Sequence, residues 1–127
     1  MPKQLVTRYR QLPAYTTKDD SEIREMMHPD VHGNERQSLA EARVQPGDET
    51  RLHVHYRTEE LYHVTRGTGR MTLGDRQFEI GAGDTVVISP GTPHCVRNIG
   101  PGPLVILCCC SPAYRDADTE LLDCSDN

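Results

Sequence analysis

The chain has 127 residues, 35% of them hydrophobic, and a formal net charge of −5. That length suits one domain around one core. The negative balance, with no Lys/Arg block, argues against a nucleic-acid partner, and the longest apolar run, over 104–110, is too short to cross a membrane. One Phe, five Tyr and no Trp leave the core to Val, Ile, Leu, Met and Cys. The first residues, MPKQLVTRYRQLP, lack the apolar stretch of a secretory signal. Five cysteines without a C-x-x-C spacing read as reduced thiols. Both features lead to the expectation of a cytoplasmic protein.

In chain order, residues 1–36 are polar and turn-rich. They read as an N-terminal arm carrying strands near 5–9 and 22–27 and a loop over 26–34. Residues 37–111 read as the barrel core. SLAEARV (38–44) alternates, and PGDE (46–49) is a turn. LHVHY, LYHVTRG, GRMTLGD, RQFEIGAGD, TVVISPG, HCVRNIG and PLVILCCC follow. Each is short, rich in β-branched residues and closed by turn formers or Cys, with a spacing of roughly 8–12 residues that marks a sandwich or barrel. Gly74-Asp75 is a hairpin turn, and Gly81, Gly83 and Asp84 form a second corner. Residues 112–127 read as a C-terminal tail with at most one helical turn. No 3.6-residue period is sustained, so the fold class is all-β within a single domain.

Strand alternation puts His53 and His55 on one face, with Val54 and Tyr56 on the other. In the following strand Glu60 shares a face with Tyr62 and Val64, and Glu59 shares one with Leu61 and His63. A hairpin between these two strands would set one of the two carboxylates beside the imidazoles. His94, after the Pro-Gly-Thr-Pro turn, would supply a third imidazole. Nitrogen donors with one carboxylate suit several divalent transition ions without selecting one. His28 and His32 flank Pro29 in a loop and read as structural.

Gly47, His53, His55, Glu60 and Gly67 resemble the first cupin motif at every named position. Residues Gly83, Asp84, Pro90, Gly91, Pro93, His94 and Asn98 resemble the second, with Ser89 standing where that motif usually has proline. The resemblance implies a double-stranded β-helix, the cupin jelly-roll barrel. It implies metal ligation by His53, His55, Glu60 and His94, with the six residues before Gly67 favouring Glu60 over Glu59. The ion expected is one divalent transition metal: Fe, Mn, Zn or Ni. The arm and tail look like those of small single-domain bacterial cupins, in which a homodimer is common.

Tyr62 shares the Glu60 face and is the candidate catalytic residue, as an acid/base or a hydrogen-bond donor to substrate. Arg51, on the His53 face, is the candidate substrate-binding residue. Cys95 alternates away from His94, and the run Cys108–Cys110 reads as a buried strand. The expected function is a metal-dependent enzyme on a small polar or anionic molecule, with dioxygenase chemistry ahead of isomerase or lyase chemistry. The alternative is a non-catalytic metal-containing module that binds or senses a small molecule. A barrel filled by Val64, Met71, Val96 and Ile106 would favour a structural role.

Overall fold

The structure is a computed structural model and describes residues 3–122. Cys124, which the polar tail sequence suggests is a free and exposed thiol, lies outside the described residues. The strands are β1 (Ala14–Thr16), β2 (Glu22–Met27), β3 (Ser38–Val44), β4 (His53–His55), β5 (Glu59–Arg66), β6 (Thr68–Leu73), β7 (Arg76–Gly81), β8 (Thr85–Ile88), β9 (His94–Asn98), β10 (Leu104–Ser111) and β11 (Thr119–Leu121). They form two antiparallel sheets, ordered β1-β2-β3-β10-β5-β8 and β11-β4-β9-β6-β7. No described helix is long and apolar enough to cross a membrane.

The inner faces follow directly from the period of two. Ser38, Ala40, Ala42 and Val44 of β3 are buried, while Leu39, Glu41 and Arg43 between them are half-exposed. In β5, Glu60, Tyr62 and Val64 point in. In β10, Ile106, Cys108 and Cys110 are buried and Cys109 is less so, which splits the cysteine run across two faces. Val64, Met71, Val96, Leu104 and Ile106 are almost fully buried in the core. The interior retains a cavity of about 50 Å³ lined by polar residues, among them His53, His55 and Glu60, and by apolar ones, among them Val96 and Ile106.

The segment expected as a strand over 5–9 is instead irregular and runs into a 3-10 turn at Tyr9–Gln11. Its start is tied down through Lys3 and Gln4 N–H donating to the His32 carbonyl, and Leu5 and Val6 remain exposed. The loop expected over 26–34 holds a one-turn helix, α1 (Pro29–His32). His28 Nδ1 caps it by accepting from the Asp30 N–H, and Gly33 closes it in the left-handed conformation. The tail contains a 3-10 turn at Asp116–Asp118 and the strand β11, which had no clear sequence signal.

The expected pairing of β4 with β5 is not formed. β4 lies between β11 and β9, whereas β5 lies between β10 and β8. The chain therefore crosses from one sheet to the other at residues 56–58. The imidazoles of β4 meet the carboxylate of β5 across the barrel rather than along a hairpin.

Gly67 shows how tight the close of β5 is. Its φ is +90°, and a Cβ there would sit 2.5 Å from the Pro103 carbonyl oxygen. Gly83 has φ +94° with open space around it. Gly67→Ala should therefore cost about 2 kcal/mol or more, and Gly83→Ala nearer ~1 kcal/mol, from the left-handed backbone alone. Urea midpoints of the two variants check this; equal losses would contradict the close approach.

Candidate metal centre

His53 and His94 are cross-strand partners in the β4–β9 register, so their side chains share one face. Their ring centroids lie 4.2 Å apart, and His55 stands 5.0 Å from His53 and 5.2 Å from His94. One ligand nitrogen from each ring can be chosen so that all three lie within 4.8 Å of one another. From the opposite sheet, Glu60 Oε1 lies 3.2 Å from His55 Nε2 and 3.5 Å from His94 Nε2. All four residues are buried.

The remaining nitrogen of each ring fixes its tautomer. His53 Nδ1 lies 2.7 Å from the Arg51 carbonyl, and His94 Nδ1 lies 2.9 Å from the Thr92 carbonyl. A carbonyl only accepts, so both Nδ1 atoms donate. His55 Nδ1 lies 2.8 Å from Thr119 Oγ1, whose own hydrogen goes to the Arg115 carbonyl, so here too Nδ1 donates. Three Nε2 lone pairs are thus turned toward Glu60 and the cavity. Although Glu60 Oε1 and His94 Nε2 are within ion-pair distance, neither has a hydrogen-bond partner. Two buried acceptors facing each other without a hydrogen between them suit a shared cation. The donor set fits a divalent transition ion.

The charges agree with this arrangement. Burial, with His94 nearby, lowers the His53 pKa to about 4, so the ring is neutral near pH 7. Burial alone would raise the Glu60 carboxyl. In the metal-free protein, hydrogen bonds and charge from the His55 and His94 imidazoles, with hydrogens on Nε2, outweigh it and hold it at about 2, a place a cation takes when Nε2 is bare. Tyr62, buried with its ring 5.9 Å from that of His94, lines the cavity. Burial and then Glu60 push its phenol well above its ordinary range, so it stays protonated as a donor. Burial and then Glu60 likewise raise the Cys110 thiol, whose Sγ lies 3.3 Å from Glu60 Oε2.

The site residues anticipated from the sequence are not all brought together. His53, His55, Glu60, Tyr62 and His94 converge. Arg51 does not line the cavity; its side chain is exposed. β4 starts only at His53, so the alternation that would have turned Arg51 inward has not begun there. What Arg51 supplies is a backbone carbonyl for His53. His63 sits on the outer face, hydrogen-bonded to Thr85. His28 and His32 serve the α1 turn.

Three contributors had no local signal. Thr119 orients His55 from β11. Tyr114 packs edge-on to His55 at 5.6 Å. Asp19, in the turn between β1 and β2, lies 3.6 Å from His53 Nε2 through its Oδ2. Each is distant in sequence from its partner and belongs to a segment without a motif.

Fold and centre together define a small double-stranded β-helix protein with a buried three-histidine cluster. The cupin domain model matches residues 40–110, and the chain belongs to the cupin family. It is 49% identical to an uncharacterised protein of Methanocaldococcus jannaschii over 95% of this chain and 97% of that one. It is 27% identical to a mannose-1-phosphate guanylyltransferase of Salmonella typhimurium over 69% of this chain, which spans only 18% of that protein. Among solved structures it resembles the oxalate decarboxylase of Lactobacillus farciminis in its formate complex. The TM-score is 0.77 at 25% identity, over 89% of this chain and 34% of that one.

The shifts of His53 and Glu60 fix how the metal-free protein responds to acid. Between pH 6.5, the ordinary value, and about 4, the unfolded chain protonates its histidine while folded His53 does not. The unfolded state then binds more protons, so stability rises with pH across that window. Glu60 acts in the same direction between about 2 and 4.5. Metal-free protein should lose stability as pH falls below 6.5, and His53→Gln should flatten the upper part of that fall. Urea midpoints measured across this pH range provide the check.

Proposed function

We propose that this chain is a metal-dependent enzyme acting on a small, neutral or singly charged molecule that offers oxygen atoms to the ion. The observation that carries the reading is the buried cluster of three imidazoles with Glu60 Oε1 set against His55 and His94 Nε2, where Glu60 Oε1 and His94 Nε2 have no hydrogen-bond partner. His53, His55, Glu60 and His94 would hold one divalent ion among Fe, Mn, Zn and Ni. When bound, such an ion supplies Lewis acidity to a carbonyl or carboxyl oxygen.

Around it, the chain's own residues set the limits. The cavity of about 50 Å³ has room for a few waters or a ligand of few heavy atoms. That supports a small substrate over a sugar nucleotide. Among the described residues no Lys or Arg lines the cavity, so a free dianion would have none of these cations to meet it. Arg51, exposed outside the lining, would act on an approaching anion only from a distance. Tyr62 supplies a hydrogen-bond donor beside His94. Ile23, Ala40, Val96 and Ile106 form apolar walls that limit water.

The likeness to an oxalate decarboxylase supports a bond-cleaving lyase as the reaction class, ahead of the dioxygenase or isomerase chemistry that the ligand set also permits. Incubation of the metal-loaded protein with small hydroxy and keto acids separates lyase from dioxygenase: CO2 release marks the first and O2 uptake the second. Tyr62→Phe should lower turnover with metal content unchanged. A non-catalytic binder would show neither gas exchange nor a Tyr62 effect.

Metal analysis of protein purified without added metal tests the centre itself. The wild type should carry about one equivalent, lost in His53→Ala and strongly reduced in Glu60→Ala. Folded wild type that holds none, and takes up none of Mn, Fe, Ni or Zn, would sink the reading.

A homodimer in the cytoplasm completes the proposal. Support comes from the outer face of the six-stranded sheet, where Leu61 and Val87 are cross-strand neighbours, 40% and 54% exposed. Light scattering should give twice the chain mass, and Val87→Asp should halve it.

A further inference from the structure

The turn between β1 and β2 brings a carboxylate to the centre that neither cupin motif marks. Asp19 lines the cavity, 14% exposed, with Oδ2 3.6 Å from His53 Nε2. Its other oxygen is fully engaged. Oδ1 accepts from Thr17 Oγ1 at 2.7 Å, from the Ser21 N–H at 3.1 Å and from Ser21 Oγ at 2.7 Å. The turn itself is fastened to the barrel. The Asp19 carbonyl accepts from the Arg51 N–H at 2.8 Å, and Lys18 Nζ donates to the Asp116 and Thr119 carbonyls, each at 3.0 Å.

Orientation is the informative part. With Nδ1–H given to the Arg51 carbonyl, His53 presents a bare lone pair at Nε2. Asp19 Oδ2 faces that lone pair and has no hydrogen of its own to share when ionised. Glu60 Oε1 faces His55 and His94 in the same way. The separations of 3.2, 3.5 and 3.6 Å are near the roughly 3.0–3.4 Å between two donors that bind one ion with bonds of about 2.1 Å.

We propose that Asp19 is a further protein ligand of the ion assigned to this centre, entering on the His53 side while Glu60 enters beside His55 and His94. The proposal rests on the metal reading given above. Three nitrogens and two carboxylate oxygens favour a six-coordinate ion such as Mn2+ or Fe2+ over four-coordinate Zn2+. Two carboxylates also balance the charge of a divalent ion, so the remaining position takes a neutral ligand more readily than an anionic one.

The test titrates wild type, Asp19→Asn, Asp19→Ala and Lys18→Ala with Co2+ and Mn2+ by calorimetry, and records the visible spectrum of the Co2+ forms. Circular dichroism of the metal-free proteins monitors the fold. Asp19→Asn keeps an Oδ1 acceptor for Thr17 and Ser21, so the turn survives even where Asp19→Ala does not fold. Both Asp19 variants should bind Co2+ at least about tenfold more weakly, and the d–d bands should intensify as the coordination number falls. Lys18→Ala loosens the turn but leaves the carboxylate, and its Co2+ spectrum should match wild type. Unchanged affinity and spectrum in Asp19→Asn would overturn the proposal, as would the same spectral change in Lys18→Ala. Failure of wild type to bind either ion would instead strike the metal reading itself.

Discussion

The arrangement of the whole barrel rests on a set of buried lone pairs aimed at one another. Three histidines give their Nδ1 hydrogens outward, two to backbone carbonyls and one to Thr119, and turn Nε2 inward. Glu60 Oε1 meets two of these nitrogens from the opposite sheet without a hydrogen bond. Burying unpaired acceptors is unfavourable in a metal-free chain. The apolar core, with Val64, Met71, Val96, Leu104 and Ile106 almost fully buried, has to offset that cost. The interior is therefore an apolar core that surrounds and supports a small polar cluster.

Segments flanking the two motif regions are part of the site rather than appendages. β11 lies beside β4 and carries the Thr119 hydroxyl that sets the His55 ring. The β1–β2 turn reaches the same place from the other terminus through Arg51, and Lys18 ties it to β11. β4 is only three residues long and wholly buried. It pairs with β9 at the single register position His53–His94, so its placement depends on these neighbours. Changes in these segments, far from the histidines in sequence, would weaken the hold on β4 in the metal-free protein.

The electrostatics of the cavity set it apart from an open anion site. Asp19, Glu25 and Glu60 line it, and among the described residues no Lys or Arg does. Its cationic character would come from a bound ion alone. Tyr62, Cys108 and Cys110 are all pushed upward by burial first and then by the Glu60 charge, and stay protonated. They act there as neutral donors, and the cysteine run has no feature of an activated thiolate.

Much of this was legible in the sequence. Period-two alternation and glycine punctuation specify an all-β barrel, because strand faces and turn conformations are local properties of the chain. The motif spacing picks out His53, His55, Glu60 and His94, and alternation alone separates Tyr62 from His63 and Cys110 from Cys109. Alternation does not decide Arg51, which is exposed, since it applies only inside a strand and β4 begins two residues later. It also suggested a β4–β5 hairpin, since chain proximity says nothing about which sheet a strand joins. Strand partners, the crossing at residues 56–58, and the arrival of Asp19, Tyr114 and Thr119 are long-range matters. They were decided only by the tertiary structure, because closing the barrel brings together groups whose separation along the chain carries no periodic signal.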